Sequence, residues 1–286
     1  MRYRWIFYLS IFIMITAAGN GIVQAKAPSE QIEDEQPQQS AQQDAQSEET
    51  PPPHLIQTVS EQDIYEGLLW LGVLETPVLE TGDCDTAYEN VKNSVVLLRM
   101  ENAYGSGVIW EMTPEKVIIA SSKHVLEYWD EAASYVRFPQ GYTASGHILG
   151  ISEEYDIGFL AIDNTEFDYP ELENMRYIHW DMLAFQNMQA GDTMFYIGAG
   201  DDAAEGSGTY YQGIIGDIWL YIEDFEEYMI YGYGYAEPGM SGGGVFDAKG
   251  NLIGILTGAT ADGETASLPL PVMIEAYASL PGFVGE

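Results

Sequence analysis

From Tyr88 onward the chain is a succession of short apolar or alternating runs. They are Ser94 to Met100, Gly107 to Trp110, Lys116 to Ala120, Phe159 to Ile162, Thr193 to Gly198, Tyr211 to Ile218, Met229 to Tyr233, Val245 to Asp247 and Leu252 to Leu256. Each is too short for a helix of ordinary length, and Gly and Pro punctuate the gaps. Many short strands without long intervening helices can bury their apolar faces only by packing sheet on sheet or closing a sheet on itself. The chain is therefore predicted to be all-β, with a helical pattern returning only over Val272 to Ser279. Its one cysteine, Cys84, rules out an intramolecular disulfide and a cysteine-based zinc cage. Such a fold must hold by packing, and a composition of 46% hydrophobic and 13% aromatic residues can supply the core.

The chain before this region has a different character. Arg2 and Arg4 precede an apolar run from Trp5 to Ala18, and Val23-Gln24-Ala25 offers small residues for cleavage after Ala25. Residues 1–25 read as a secretory signal peptide, with an uncleaved N-terminal anchor as the other reading. The run is about 14 residues, short of the ~20 a spanning helix needs. Residues 26–59 are rich in Gln, Glu, Ser and Pro and poor in bulky apolar side chains, so they read as a disordered acidic linker. Residues 60–87 read as a short helical lead-in, capped by Ser60, with Ile64, Leu68 and Leu71 at helical spacing. Residues 88–286 form the main domain. This organisation predicts a secreted protein or one on the extracellular face of the cell envelope, touching a membrane only through an uncleaved N-terminal segment.

Charge narrows the partners. Ten Lys and Arg stand against 45 Asp and Glu, a net charge of −35. Nucleic acid, whose phosphates require cationic neutralisation, is excluded, and so is docking on anionic lipid. The field favours basic or neutral partners.

Chemistry is concentrated in Gly239-Met240-Ser241-Gly242-Gly243-Gly244. Glycines let the backbone approach a substrate carbonyl and aim its N–H groups at one point. A serine hydroxyl is a weak nucleophile until an imidazole takes its proton and a carboxylate orients that imidazole. His124 and Asp156 are the candidates, in the order His, Asp, Ser. Gly239 to Gly243 also fits the G-x-S-x-G elbow of α/β-hydrolases, but that fold places its histidine after the serine. His54, His124, His147 and His179 all precede Ser241. The subtilisin order would require Asp83 or Asp85 and an α/β pattern that this chain lacks. Asp163 follows its apolar strand where Asp156 leads one, so Asp156 is preferred. His147 reads as a strand residue, and Ser106 and Ser207 read as turn serines. Asp201, Asp202 and Glu205 lack the spacing of a calcium loop, so no metal and no cofactor are expected.

Five blocks in order carry a family resemblance. They are Gly105-Ser106-Gly107-Val108-Ile109, the segment Ile119 to Val125, Tyr155-Asp156-Ile157-Gly158-Phe159-Leu160, Gly239 to Gly244, and Ala266-Ser267-Leu268-Pro269-Leu270-Pro271. Over roughly Tyr88 to Pro281 the chain resembles bacterial, disulfide-free, trypsin-like serine proteases of the chymotrypsin fold, similar to the HtrA/DegP protease domain. The resemblance implies two six-stranded antiparallel β-barrels with a C-terminal helix. It also implies a catalytic triad of His124, Asp156 and Ser241, and an oxyanion hole from the N–H groups of Gly239 and Ser241. Protein or peptide substrates would be cleaved through an acyl-enzyme, and no PDZ domain is expected to follow. A catalytically silent pseudoprotease or binding module of the same fold is the alternative, and a narrow regulatory protease is a third reading.

The chain departs from the family at three positions. Met240 stands where Asp or Asn is usual, which removes the carboxylate used in trypsin-style zymogen activation. Gly244 replaces a common proline. Lys123 precedes the histidine where the family has alanine, and it is expected to point to solvent. In the family, the pocket floor lies about six residues before the serine, here Tyr235, with Thr257, Gly258, Ser267 and Leu268 as walls. No aspartate stands at that floor and no histidine follows His179, so small or apolar P1 side chains are expected.

Overall fold

The computed structural model describes residues 83–198 and 208–280. The expected leader, the linker and most of the lead-in lie outside these residues, as do His54, Asp201, Asp202, Glu205 and Ser207. The first described element is helix α1 (Cys84–Val91). It begins under an Asp83 cap whose side chain accepts from the Asp85 N–H, and a short 3₁₀ turn, Lys92–Ser94, leads it into the first strand. The helix therefore straddles the expected boundary at 87/88.

Seven strands form the first sheet: β1 (Val95–Arg99), β2 (Tyr104–Met112), β3 (Lys116–Ser121), β4 (Tyr135–Arg137), β5 (Thr143–Ala144), β6 (His147–Ile151) and β7 (Gly158–Asp163). Their order is β5-β4-β1-β2-β3-β7-β6, all antiparallel, and they curve into a half-barrel. The second half is a closed six-stranded barrel. It is built of β8 (Thr193–Gly198), β9 (Thr209–Ile222), β10 (Glu227–Gly234), β11 (Gly244–Asp247), β12 (Leu252–Ala259) and β13 (Glu264–Pro269). The short helix α2 (Lys123–Leu126) follows β3, while α3 (Tyr169–Asn174) and α4 (Met182–Gln186) lie in the connection between the halves. The terminal helix α5 (Leu270–Ala278) carries Pro271 in its first turn, where a missing N–H costs nothing.

The near-continuous apolar runs of β3 and β7 follow from their burial on both faces. Val117, Ile119, Leu160 and Ile162 point into the core of the first sheet, with Val96, Leu98 and Ile109. Ile118, Ala120 and Phe159 point the other way, into a core shared with the second barrel and α5, as do Val108 and Trp110 of β2. Tyr277 of α5 sits edge-on to Trp110, with centroids 5.7 Å apart, and its hydroxyl donates to the Glu111 carboxylate. One shared apolar layer thus joins the halves and fixes where their facing loops meet. Among the described residues, no helix is long and apolar enough to cross a membrane.

The second barrel is built around Tyr196, which is fully buried and hydrogen-bonded through its hydroxyl to Thr265 Oγ1 at 2.7 Å. Burial pushes its hydroxyl pKa up to about 12, so it stays protonated. Gly213, Gly232 and Gly234 leave room for it. A Cβ on Gly213 would lie 2.8 Å from the Tyr196 hydroxyl and 2.7 Å from the Tyr233 carbonyl. Gly213→Ala should therefore destabilise the protein by about 1–3 kcal/mol through overpacking, read as a lower urea midpoint. An unchanged midpoint would mean that the barrel gives way around the ring.

Candidate active site

His124 lies in α2, immediately beyond β3, and Asp156 lies in the turn before β7, the neighbour of β3. Adjacent antiparallel strands deliver the two side chains to the same end of the sheet. The His124 backbone N–H donates to Asp156 Oδ1 at 3.0 Å, and ring Nδ1 lies 2.8 Å from Oδ2 and 3.1 Å from Oδ1. A neutral imidazole that gives its Nδ1 proton to this carboxylate keeps a lone pair on Nε2. The side chains are 35% and 26% exposed, which leaves the pair open to a cleft. Asp163 is an exposed residue at the far end of β7, and His147 is in the edge strand β6, opposite Ala161. Neither is part of this pair.

Lys123 is not directed to solvent as expected. Its ammonium donates to the Ser152 carbonyl at 3.0 Å and reaches that of Glu153 at 3.5 Å. It ties the start of α2 to the turn that presents Asp156. No local pattern signals this, because the carbonyls it reaches lie about thirty residues away.

Ser241 is in the tight loop between β10 and β11. Gly239 and Gly242 have φ of +90° and +81°, in the region glycine alone enters freely. Met240 between them is fully buried, and its sulfur accepts the Glu237 N–H at 3.3 Å. The missing aspartate is thus replaced by an apolar plug. The N–H groups of Met240, Gly242 and Gly243 go to Glu237, Leu256 and Met240 carbonyls. Among the described residues, the N–H groups of Gly239 and Ser241 have no acceptor. Two adjacent unpaired donors on a glycine loop can receive a developing oxyanion.

The loop is lodged against the first sheet. A Cβ on Gly242 would lie 2.9 Å from the Ser122 N, two residues before His124. The Ser241 hydroxyl donates to the Thr257 carbonyl at 3.4 Å, and among the described residues it makes no hydrogen bond to His124. A β-bulge between Leu256 and Gly258 takes Thr257 out of the pairing with β13 and turns its carbonyl towards the serine. Ser267 and Leu268 are buried in β13 beside this segment, and Gly258 is half-buried under Phe225. The hydroxyls of Thr257 and Ser267 are buried without a hydrogen-bond partner. Tyr235 is 58% exposed, its ring edge-on to Tyr211, so it stands on the surface and not at the floor of a closed slot.

Sequence reasoning misread Ser106. It is no turn residue but a buried position within β2, bonded to the Ser241 loop. Ser121 and Ser122, also buried, bond to the Ser106 and Leu256 carbonyls. The Gly-Ser-Gly pattern that suggested a turn serves close contact between the halves. Burial pushes the Cys84 thiol above its ordinary range, and nearby acidic groups add to the shift, so it stays protonated and inert. Among the described residues, no group of His, Cys, Asp or Glu is placed to hold a metal.

The same architecture occurs in solved HtrA-type proteases. The chain is similar to "HtrA-type protease AlgW with tripeptide", with a TM-score of 0.57 and 24% identity, over 69% of this chain and 63% of that one. The same protease with decapeptide gives a TM-score of 0.56 and 19% identity, over 68% and 66%. The chain thus spans less than two thirds of each AlgW structure, and at these identities the likeness is one of chymotrypsin-like fold. A profile of the trypsin-like peptidase domain matches residues 105–255, just over half of the chain and enclosing His124, Asp156 and Ser241; the chain belongs to that family. No curated protein matches the sequence.

If Lys123 holds the Asp156 turn, Lys123→Met should speed amide exchange across residues 152–157 while changing global stability by no more than about 1 kcal/mol, the worth of one such hydrogen bond. Exchange equal to wild type would show the contact to be idle.

Proposed function

We propose that this protein is a serine endopeptidase, secreted or held on the outer face of the cell envelope. It would cleave peptide bonds with Ser241 as nucleophile, His124 as general base and Asp156 as the group that orients it. The observation that carries this reading is the His124–Asp156 pair, 2.8 Å apart, beside a glycine loop with two unpaired N–H donors. The fold shared with peptide-bound AlgW supports protein or peptide substrates. The apolar run after Arg2 and Arg4 supports export.

In the proposed reaction the Ser241 hydroxyl turns from the Thr257 carbonyl to His124. Its oxygen bonds to the scissile carbonyl carbon while its proton passes to His124 Nε2. The carbonyl oxygen takes up the electron pair and faces the N–H groups of Gly239 and Ser241. The C–N bond then breaks, the Nε2 proton leaves with the amine, and an ester to Ser241 remains. Water repeats the sequence, giving its proton to His124, and the ester breaks to release the acid as that proton passes from Nε2 to the Ser241 oxygen. Vacating Thr257 O frees an acceptor for a substrate N–H. Leu268, Gly258 and the overlying Phe225 supply apolar walls for a small or apolar P1 side chain.

A pseudoprotease of the same fold is the second reading, favoured by the resting Ser241–Thr257 contact. A fluorophosphonate probe separates the two. Wild type should be labelled and Ser241→Ala should not, whereas an unlabelled, folded wild type would support the silent module. Asp156→Asn keeps the shape but loses the carboxylate, and should cost about 10⁴ in kcat, as in the same triad elsewhere. Casein turnover separates a broad enzyme from a narrow regulatory one.

Charge predicts the substrate's sign. After Arg176 the only Lys or Arg is Lys249. The second barrel therefore attracts cations over a range that salt shortens, from about 10 Å at 0.1 M to about 3 Å at 1 M. Raising salt should lower kcat/KM for a Lys-flanked peptide and leave that of its Gln-flanked counterpart unchanged; equal responses would rule out steering.

A further inference from the structure

The glycine loop poses a problem that its own sequence does not solve. Gly239 is free to rotate on both sides, and an oxyanion donor on a freely rotating peptide would have to be ordered during each turnover. The plane between Met240 and Ser241 is set from nearby: the Gly243 N–H holds the Met240 carbonyl at 2.9 Å, which aims the Ser241 N–H the opposite way. The plane after Gly239 is held at its N–H by the Glu237 carbonyl, 3.1 Å from Met240 N, and at its carbonyl from the other sheet. Ser106 of β2, fully buried, donates its hydroxyl to the Gly239 carbonyl at 2.7 Å. Its N–H donates to the Ser241 carbonyl at 2.9 Å, and its own carbonyl accepts from Ser121 Oγ at 2.6 Å.

One residue therefore grips the carbonyls on either side of Met240. The space around it is closed. A Cβ on Gly198 would lie 2.9 Å from Ser106 Oγ, and a Cβ on Gly242 would lie 2.3 Å from both Ser106 O and Ser121 Oγ. Only a side chain of serine's size carrying a donor fits between them.

We propose that Ser106 is a positioning residue for the oxyanion hole: by holding the Gly239 and Ser241 carbonyls it fixes the two peptide planes that flank the plane carrying the Ser241 N–H, and it anchors the Gly239 end of the loop from which the second N–H projects. This rests on the protease reading above. A residue acting in this way stabilises the tetrahedral state and not the initial complex. Its loss should lower the rate of the bond-forming step and leave initial binding unchanged.

The test compares wild type, Ser106→Ala and Ser106→Cys, which is somewhat larger than serine and keeps a weak donor. Two readouts are used: saturation kinetics of fluorophosphonate labelling, and amide exchange across residues 239–243. For Ser106→Ala, the maximal labelling rate should fall about 10- to 100-fold, below the 10²–10³ of deleting a hole donor outright. The half-saturating probe concentration should be unchanged. Exchange should quicken about tenfold in the loop and stay at wild-type values elsewhere, the scale of one buried hydrogen bond. Ser106→Cys should recover part of both effects.

Wild-type labelling and loop exchange in Ser106→Ala would overturn the proposal. So would loss of protection throughout the molecule in both variants, which would make Ser106 a packing residue. If the wild type takes no label, it is the protease reading that fails. Loop exchange then still decides whether Ser106 holds Gly239: faster exchange upholds the grip, and unchanged exchange overturns it.

Discussion

The seam between the half-barrel and the closed barrel is the constraint on which the site depends. His124 and Asp156 belong to one half and Ser241 to the other, so no single sheet sets their relation. Three buried serines cross or brace that boundary: Ser106 to Gly239 and Ser241, Ser121 to Ser106, and Ser122 to Leu256. Each places a buried hydroxyl on a main-chain carbonyl, and a buried hydroxyl left without a partner would cost about 1–3 kcal/mol. Their bonds are short-range and directional, whereas the apolar layer of Trp110, Phe159 and Tyr277 only presses the halves together. Apolar contact supplies adhesion, and the serines supply register.

Glycine is what permits this register. Gly242 lets the Ser241 loop come against Ser106, Ser121 and Ser122, and Gly198 makes way for Met240 and Ser106. With a lone, buried cysteine, the chain has no intramolecular cross-link to hold these loops. Close backbone approach and internal hydrogen bonds do that work, and Met240, where the family has a carboxylate, anchors the loop by burial.

Much of the architecture was legible because burial leaves a pattern. The runs at Lys116–Ser121, Gly158–Asp163 and Thr193–Gly198 are covered on both faces except at one end and so are apolar through their centres. Chain order had already excluded the α/β-hydrolase fold, since every histidine precedes Ser241, and the all-β pattern had set aside the subtilisin fold. Three of the strands outside the expected runs have little to bury, whereas Glu264–Pro269 is buried at all positions but its first and was hidden because Thr265, Ser267 and Pro269 break its apolar run. Tyr135–Arg137 and Thr143–Ala144 are too short to show a period, and no residue of His147–Ile151 is fully buried. Ser106 was misread because Gly-Ser-Gly has the same composition in a turn as in a strand that must touch another backbone; only tertiary contact separates the two. Lys123 was misread for the related reason that a lysine's partner can be a distant main-chain carbonyl. Tyr235 was placed by counting back from Ser241, and loop shape does not obey a count.

Charge gives the geometry a further significance. A protein of net charge −35 whose second barrel is nearly without cations sets a negative field around any oxyanion formed there. That field disfavours the oxyanion and favours an imidazolium at His124, so over the whole ion pair its long-range effects oppose one another. It is also screened beyond about 10 Å at ordinary salt. What is left to stabilise the oxyanion is local: two N–H dipoles within hydrogen-bonding distance, in a site partly shielded from water. Such dipoles lose strength steeply with misalignment. The more acidic the body of the protein, the more the proposed chemistry depends on the exact direction of the Gly239 and Ser241 N–H groups. The proposed grip of a buried serine from the opposite sheet on the Gly239 and Ser241 carbonyls would meet that requirement where the glycine loop alone would not.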